Sequence, residues 1–330
     1  MHAIQMKRTG GPEVLEFVEV PTPRPGPTEV LIKAHAIGVG MPEVLLRRGE
    51  YAWMPPLPVI PGIEMSGTID AVGQRVTRFR VGQAVFASAR EFKFRGGCYA
   101  QYLAAEENTV YALPDGVDLD EAAALSNYQV AWHLLNTATQ GFRYETLLVL
   151  AAAGGVGSAL VQLAKAAGKQ VIGVVDTEEK ARFALSQGAD AAVDYHTGQL
   201  EAVVRDQTAA RGIDLVLDPV GGAGTARNIN LLAPFGMLIV FGELDGHPSG
   251  NLFEALRQPP MRSLALRHFT MHTLDKTPER RAPATQELFR LLASTVIRPP
   301  IHARIPLAEA AKAHELLESG KVLGKLIMKP

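Results

Sequence analysis

The chain has 330 residues, of which 47% are hydrophobic and 20% are charged, and its formal net charge at pH 7 is −1. This length favours two domains, and the near-zero charge without a dense Lys/Arg stripe argues against a nucleic-acid partner. The single cysteine, Cys98, excludes an internal disulfide and fits a reducing compartment. No apolar run reaches about 18 residues, so we expect a soluble, cytoplasmic protein that does not enter a membrane.

The first 120 residues contain short strand-like segments separated by Pro and Gly clusters, a pattern typical of an all-β, barrel-like domain. The predicted strands are 29–35, 65–72, 83–87 and 99–103. After Asp120, helical runs alternate with continuous apolar strands at 146–151, 170–175, 213–217 and 237–241. Buried parallel strands need helices on both faces, so this part is predicted to be a doubly wound α/β domain.

The last part of the chain does not continue the alternation of strands and helices. Its predicted elements are a strand at 262–271, helices at 278–293 and 307–319, and a last strand at 324–328. We therefore expect the C-terminus to return to the first domain. The predicted boundaries are 1–120 for the first part of the β domain, 121–265 for the α/β domain, and 266–330 for the returning segment.

A glycine-rich turn at 152–157 lies between a predicted strand and an amphipathic helix that ends at Gly168. Gly154 lets the backbone approach a pyrophosphate without an intervening Cβ, and Gly157 lets the helix pack closely on the strand. The helix start, with Gly155 and Val156, offers free N–H groups and a positive dipole end. The turn predicts a dinucleotide-dependent oxidoreductase.

The choice of dinucleotide depends first on Asp176, which lies 19 residues beyond Gly157 at the end of the second strand. A carboxylate there accepts hydrogen bonds from ribose hydroxyls and repels a 2′-phosphate, which favours NAD(H). Lys180, Tyr195 and Lys321 are candidates to converge on such a phosphate, which favours NADP(H). Each of the three is equally compatible with an ordinary solvated or packed side chain.

With these features the chain resembles the medium-chain dehydrogenase/reductase superfamily, in its zinc-free quinone oxidoreductase branch that includes zeta-crystallin. The resemblance covers nearly the whole chain. Its motifs are GGPEVL (10–15), PGIEMSG (61–67), VGQAV (81–85), GGCYAQY (96–102), AAAGGVG (151–157), DPVGG (218–222), AKAH (311–314) and GK (324–325). It implies a GroES-like β-barrel domain interrupted by a Rossmann domain, an active site in the cleft between them, a homodimer formed through the Rossmann sheets, and a tendency towards NADPH. We therefore favour NADP(H) narrowly over NAD(H).

The resemblance also implies that no zinc is bound. Zinc-dependent members carry a Cys and a His where this chain has Gly40 and Ile63, and neither residue can ligate a metal. His268 and His272 are spaced like a helical metal pair but fall in a predicted strand, without a third ligand. Glu64 is retained, and it is interpreted either as a buried carboxylate satisfied by backbone or an arginine, or as a polar wall of the substrate cleft.

Without a Lewis acid to lower the pKa of a hydroxyl, oxidation of a simple alcohol is disfavoured. We therefore expect hydride transfer from NAD(P)H to a small quinone or an α,β-unsaturated carbonyl. The resemblance implies that the segment 40–45, with Met41, borders the nicotinamide and that Tyr51 and Tyr128 line the substrate cleft. Either tyrosine is a candidate proton donor or a merely apolar wall. Positions that match cofactor contacts of the family are Phe241, Gly242, Arg267, His268 and Phe269.

Two positions of the expected pocket depart from the family pattern. Many zinc-free members carry Asn at the position of Gly40 and Thr at that of Val130, so the pocket here is expected to be more apolar.

One alternative function is an enoyl-thioester reductase, for which Arg47, Arg48 and Arg262 are candidates to bind the acidic carrier tail. The other is a non-enzymatic, dinucleotide-binding structural or regulatory protein.

Overall fold

The computed structural model describes residues 1–258 and 260–330, and it divides the chain into two units. The first unit is Met1–Ser126 with Gln286–Pro330, and the second is Asn127–Thr285. The strands are β1 His2–Gln5, β2 Glu16–Glu19, β3 Glu29–Val39, β4 Glu64–Val72, β5 Ala84–Ser88, β6 Tyr102–Glu106, β7 Val110–Ala112, β8 Thr146–Leu150, β9 Gln170–Val175, β10 Ala191–Asp194, β11 Ile213–Asp218, β12 Leu232–Val240, β13 Ala265–His268, β14 Ile301–Pro306 and β15 Lys325–Lys329. The α-helices are α1 Met41–Arg48, α2 Leu119–Ala122, α3 Leu125–Asn136, α4 Gly155–Ala166, α5 Glu178–Ser186, α6 Leu200–Gln207, α7 Gly224–Ile229, α8 Leu252–Arg257, α9 Pro278–Ala293 and α10 Ala310–Glu318.

The first unit is built on a seven-stranded sheet in which β3 is the central strand. The sheet order is β14-β15-β3-β4-β5-β7, and β6 pairs with the first half of β3. All pairings are antiparallel except β14 with β15. Alternate residues of these strands fill one apolar core, in which Ile32, Met65 and Met328 are fully buried. Through β15 the C-terminal segment contributes directly to the sheet of the N-terminal part.

The second unit contains a six-stranded parallel sheet in the order β10-β9-β8-β11-β12-β13. This is the doubly wound order of the Rossmann fold, with the switch point between β8 and β11. All five residues of β8 are buried, as expected of a central strand that is covered on both faces. Because the strands are parallel, the segments that follow β8, β9 and β10 emerge at the same edge of the sheet.

Most of the predicted elements agree with the observed ones, and α9 begins and ends at the predicted residues. The prediction of a strand at 262–271 was too long, because only β13 pairs there and Ser263 has a left-handed backbone. The predicted strand at 99–103 begins later, as β6. The predicted helix at 307–319 begins as a short 3-10 helix at Leu307–Glu309 before α10.

The unit boundaries can be compared with the expected domain boundaries. The expected boundary at residue 120 lies six residues before the end of the first segment of unit 1, at Ser126. The expected boundary at residue 265 falls on the first residue of β13, whose pairing with β12 keeps that strand in the second unit. Among the described residues, no helix is long and apolar enough to cross a membrane.

The start of α4 lies very close to the end of β8 in the second unit. A Cβ added to Gly157 would lie 2.1 Å from the carbonyl oxygen of Ala151, a distance that no real side chain tolerates. The same construction at Gly154 gives 3.4 Å to that oxygen, which is ordinary van der Waals contact. Glycine at 157 is therefore required by packing, whereas glycine at 154 is not.

We expect Gly157→Ala to lower the free energy of unfolding by about 2 kcal/mol or more, because the backbone must shift to accept the methyl group. Gly154→Ala is the matched control and should change it by about 0.5 kcal/mol or less. Urea denaturation of the full chain, followed by circular dichroism, measures both. Equal effects of the two substitutions would contradict the packing argument.

Candidate active site

The glycine turn after β8 leaves the first turn of α4 open. Gly154 is the N-cap residue, with an extended backbone and no side-chain cap, and its N–H donates to the Ala151 carbonyl at 3.0 Å. The N–H groups of the first turn of a helix have no partners within the helix, so they and the positive end of the dipole are available to an anion. Since no Cβ stands at Gly154 or Gly155 in front of these groups, the turn fits a pyrophosphate.

The residue predicted to select the dinucleotide, Asp176, forms an ion pair with Lys180. The Lys180 ammonium lies 2.6 Å from Oδ1 of Asp176 and donates a hydrogen bond to Oδ2 at 2.8 Å. Thr177 caps α5 by accepting the N–H of Lys180, so Lys180 lies in the first turn of that helix and Asp176 lies directly before the cap. The two side chains that argue for opposite dinucleotides therefore neutralise each other.

The other two candidates for a phosphate partner lie in different places. Tyr195 follows β10, one strand away from Asp176 at the same edge of the sheet, and its half-exposed ring lies 4.1 Å from that of His196. Lys321 is exposed in the turn between α10 and β15 of the first unit. The structure thus groups Asp176, Lys180 and Tyr195 in one unit and leaves Lys321 in the other.

The predicted cofactor residues after β12 and β13 also lie at the carboxyl edge of the parallel sheet. The N–H of Phe241 donates to the Asp218 carbonyl at 2.9 Å, which extends the sheet beyond β12. A Cβ on Gly242 would lie 2.8 Å from the Pro219 carbonyl oxygen, so this loop packs tightly on the one after β11. The residues that end β13 or follow it are Arg267, His268 and Phe269.

Among these, the Arg267 side chain is already engaged. Its guanidinium donates to the backbone carbonyl of Ala138, the residue just beyond α3. His268 is exposed, and the N–H of Phe269 donates to Val240 at 2.9 Å. The backbone after β13 is thereby fixed to β12, whereas the His268 ring is directed to solvent.

In the first unit, Glu64 is completely buried and both of its oxygens are bonded. Oε1 accepts a hydrogen bond from the Lys325 ammonium at 2.5 Å, and Oε2 accepts the N–H of Ser126 at 2.9 Å. A Cβ on Gly38 would lie 2.5 Å from Oε1, so the carboxylate is also packed tightly. This geometry matches the interpretation of Glu64 as a buried, satisfied carboxylate, with a lysine in the place expected for an arginine.

Sequence reasoning missed a second buried carboxylate, Glu43 in α1. Its Oε2 accepts the N–H of Gly40 at 3.1 Å and its Oε1 accepts the N–H of Ile63 at 2.9 Å. Burial raises the pKa of Glu43 to about 7, although the Lys325 charge and the bond from Ile63 act in the opposite direction. The only signal in the sequence was the spacing of Glu43 three residues after a helix-capping position, which says nothing of its burial.

The predicted tyrosines and Met41 have different environments. Tyr128 of α3 is buried, and its hydroxyl donates to Oε1 of Gln162 at 2.8 Å. Tyr51 is half-buried against the core of the first unit, with its ring 5.8 Å from that of Trp53. Met41 is the first residue of α1 and is also half-buried. Tyr51 and Met41 thus belong to the first unit and Tyr128 to the second.

The arginines considered for an acidic carrier tail are all engaged with protein atoms. Arg47 is buried and donates to both oxygens of Glu318, at 2.8 and 2.9 Å, and Arg48 pairs with the same carboxylate. Arg262 donates to the backbone carbonyls of Asn230, Leu232 and Gln258. Across residues 1–258 and 260–330, no group of three or more His, Cys, Asp or Glu side chains is arranged to hold a metal ion.

Comparison with known proteins gives consistent matches over the whole chain. Residues 26–115 match the family model of the alcohol dehydrogenase GroES-like domain, and residues 187–328 match that of the zinc-binding dehydrogenases. A quinone oxidoreductase of Pseudomonas aeruginosa is 37% identical over 99% of this chain and 99% of its own length. The fold is similar to that of a mycobacterial protein solved with NADPH (35% identity, TM-score 0.86) and of the Escherichia coli quinone oxidoreductase solved with NADPH (30% identity, TM-score 0.86), each covering 100% of both chains. The chain therefore belongs to the medium-chain dehydrogenase/reductase family, in its zinc-free quinone oxidoreductase branch.

Proposed function

We propose that this protein is a zinc-independent NAD(P)H-dependent oxidoreductase that transfers hydride to a quinone or an α,β-unsaturated carbonyl. The observation that carries the proposal is the open glycine turn at the switch point of a six-stranded parallel sheet, in a chain similar over its full length to quinone oxidoreductases. The dinucleotide supplies the hydride when bound. The protein contributes binding, alignment and exclusion of water.

Most of the proposed cofactor residues act through their backbones. The N–H groups of Gly155, Val156 and Gly157 at the start of α4 would bind the pyrophosphate, and Gly154 leaves room for it. The loop at Phe241 and Gly242 and the turn at Phe269 are held by backbone hydrogen bonds or close packing. These segments are therefore rigid enough to fix the nicotinamide end of the dinucleotide.

We propose that Tyr51 and Tyr128 line the substrate site, and that Tyr128 does not donate the proton to the acceptor oxygen. The Tyr128 hydroxyl donates its proton to Gln162, whose amide in turn donates to Gln187 at 2.8 Å. This chain of hydrogen bonds fixes α3 against α4, so Tyr128 is proposed to line the site without transferring a proton. Glu64 is proposed to act through the backbone of the first unit, since it is completely buried and neither of its oxygens is exposed.

The enoyl-thioester alternative is less well supported. A carrier tail with several phosphates would need arginines that are free to bind it, and Arg47, Arg48 and Arg262 are all engaged. The non-enzymatic alternative is addressed by direct measurement of turnover.

Purified protein should oxidise a reduced nicotinamide in the presence of 1,4-benzoquinone or a simple enone. The loss of absorbance of NADH or NADPH measures the rate, and crotonyl-CoA serves as the acceptor that represents the thioester alternative. Faster turnover with crotonyl-CoA than with both other acceptors would favour that alternative. Tight binding of the dinucleotide without turnover of any acceptor would favour the non-enzymatic role.

Within this function we propose that NADP(H) is preferred over NAD(H). The Asp176 carboxylate repels a 2′-phosphate only while its negative charge is not compensated. Nζ of Lys180 lies within 2.8 Å of both oxygens of this carboxylate. The ammonium can contact the phosphate directly while it neutralises the carboxylate. Tyr195, on the next strand at the same edge, offers a ring and a hydroxyl to the same end of the dinucleotide.

The ratio of kcat/KM for NADPH to that for NADH tests this assignment. Lys180→Met should lower the ratio about tenfold or more, because it leaves Asp176 uncompensated, and Asp176→Ser should raise it by a similar factor. The matched control is Glu178→Ser, which removes the carboxylate of another i,i+4 pair of α5, formed with Arg182. The assignment is wrong if Lys180→Met leaves the ratio unchanged, or if Glu178→Ser changes it as much.

We also propose that the protein forms a homodimer through its second unit. Strand β13 ends the order of the parallel sheet, which leaves one of its edges for a partner strand. The most exposed large apolar side chains described in the same unit are Phe235, Leu244, Phe253 and Met261. Met261 is 95% exposed, which is unusual for so apolar a residue unless another surface covers it.

Sedimentation velocity over a range of concentrations should give a dimer. Met261→Glu should raise its dissociation constant about tenfold or more. Val81→Glu, at an exposed apolar residue of the first unit, should leave it unchanged. A monomer at all concentrations would refute the dimer, and a dimer that responds only to Val81→Glu would place the interface in the other unit.

The proposed compartment is the cytoplasm. The lone cysteine of the chain, Cys98, is fully buried as a free thiol. Burial also raises the pKa of this thiol well above its usual range, which keeps it in the unreactive protonated form. Such a thiol suits a reducing environment and gives no disulfide to stabilise the chain outside it.

A further inference from the structure

The Glu43 carboxylate connects two segments that are distant along the sequence. It accepts the N–H of Gly40, directly before α1, and the N–H of Ile63, directly before β4. Glycine has no side chain with which to cap the helix, and Glu43 instead bonds back to the N–H of this N-cap residue. Because each oxygen serves a different segment, the carboxylate fixes the separation between the start of α1 and the start of β4.

The Lys325 ammonium lies immediately beside the same two segments. A Cβ built on Gly40 would be 3.7 Å from Nζ of Lys325 and 3.3 Å from Oε2 of Glu43. The ammonium itself is hydrogen-bonded to Glu64, the residue after Ile63. A side chain at position 40 would therefore extend into a space that is lined by one ammonium and one carboxylate.

Positions 40 and 63 are those at which the zinc-dependent relatives carry a Cys and a His ligand, so that in them a metal joins the two segments. We propose that Glu43 is a positioning residue for hydride transfer, and that Glu43, Glu64 and Lys325 together fix the start of α1 against β4 without a metal. This inference rests on the proposed function, and on the expectation from the family resemblance that Met41, the first residue of α1, borders the nicotinamide. The two hydrogen bonds that Glu43 accepts from the N–H groups of Gly40 and Ile63 form what we call the Glu43 clamp.

The charges around the Glu43 clamp make it sensitive to pH. Two buried carboxylates share one ammonium, so full ionisation leaves an excess negative charge, and burial raises the pKa of Glu43 to about 7. Protonation converts one of the two accepting oxygens into a hydroxyl, which is a poor acceptor of an N–H. The clamp is therefore complete above this pH and incomplete below it. The titratable and charged groups that face it are Lys325 of β15, Glu64 of β4, Cys98 and Tyr99 of the segment before β6, Arg47 of α1, and His314 and Glu318 of α10.

Three of these neighbours, Cys98, Tyr99 and His314, have pKa values far from 7. Burial raises the pKa values of the Cys98 thiol and the Tyr99 hydroxyl well above their usual ranges, so both stay protonated. Burial and the Arg47 charge lower the pKa of His314 to about 3, so its ring stays neutral and bonds the Tyr99 hydroxyl at 3.0 Å. An event near pH 7 in this cluster that is lost in Glu43→Gln is therefore assigned to Glu43.

The first experiment measures the clamp without reference to activity. In full-length protein labelled with ¹⁵N at glycine and isoleucine, the amide resonances of Gly40 and Ile63 should shift together with a midpoint near pH 7. They should not do so in Glu43→Gln, which keeps one accepting oxygen and cannot ionise. Amides that do not titrate in the wild type, or that titrate equally in the variant, would overturn the clamp. The wild-type titration decides this even if Glu43→Gln fails to fold.

The second experiment measures positioning. With 1,4-benzoquinone and NADPH, wild-type kcat should fall as the pH is lowered through about 7, whereas Glu43→Gln should be about tenfold slower and should lack this inflection, because the start of α1 is displaced from the nicotinamide. The KM for NADPH should change little, since the pyrophosphate is bound at the glycine turn. The matched control is Glu29→Gln, which alters a carboxylate that also accepts a backbone N–H, from Gly26 at 2.8 Å, but lies outside the cluster.

The outcomes separate the two proposals. If wild-type protein turns over no acceptor while the amides of Gly40 and Ile63 titrate together, the proposed function is wrong and the clamp stands as a structural device. If turnover is present and Glu43→Gln keeps the wild-type kcat and pH profile, Glu43 does not position the reaction. An effect of Glu29→Gln as large as that of Glu43→Gln would also overturn the assignment, because any capping carboxylate would then serve.

Discussion

The contact between α4 and the end of β8 is the constraint on which the dinucleotide site depends. At Gly157 the helix lies so close to the Ala151 carbonyl that no side chain fits between them. That approach directs the first turn of the helix along the switch point of the sheet, where its N–H groups converge. The site is thus created by backbone packing, and the residues that follow β9 and β10 are proposed only to modify which dinucleotide it selects.

The first unit solves a different physical problem. It buries two carboxylates, Glu43 and Glu64, with one ammonium, Lys325, and it compensates the second negative charge with backbone N–H groups. Buried ions are costly unless every hydrogen-bonding position is used, so this arrangement constrains the backbone around it more strongly than an apolar core of equal volume would. The cluster holds the segments before α1 and β4 against each other without a metal.

Sequence reasoning succeeded where the signal is local. Continuous apolar runs predicted the buried parallel strands such as β8, and the turn at 152–157 predicted the helix start after it. It did not predict the ion pair of Asp176 and Lys180, although their i,i+4 spacing permits one, because each was weighed separately against a phosphate. Glu43 was missed for another reason. Glu43 accepts a backbone N–H from 20 residues away and interacts with the charge of Lys325 near the C-terminus. Contacts between residues so distant along the chain produce no periodic pattern in the sequence.

The backbone packing around the glycine turn and the buried carboxylates of the first unit should tolerate substitutions to different degrees. In the proposed function, cofactor selection rests on the partly exposed pair Asp176 and Lys180. A substitution there should alter which dinucleotide binds without disturbing the packing of α4 on β8. A substitution of Glu43 cannot be confined in this way. Its two oxygens accept the N–H groups before α1 and before β4, and its charge lies beside Lys325. In the proposed function, selectivity for the cofactor is therefore separable from the fold, whereas the position of the start of α1 is not.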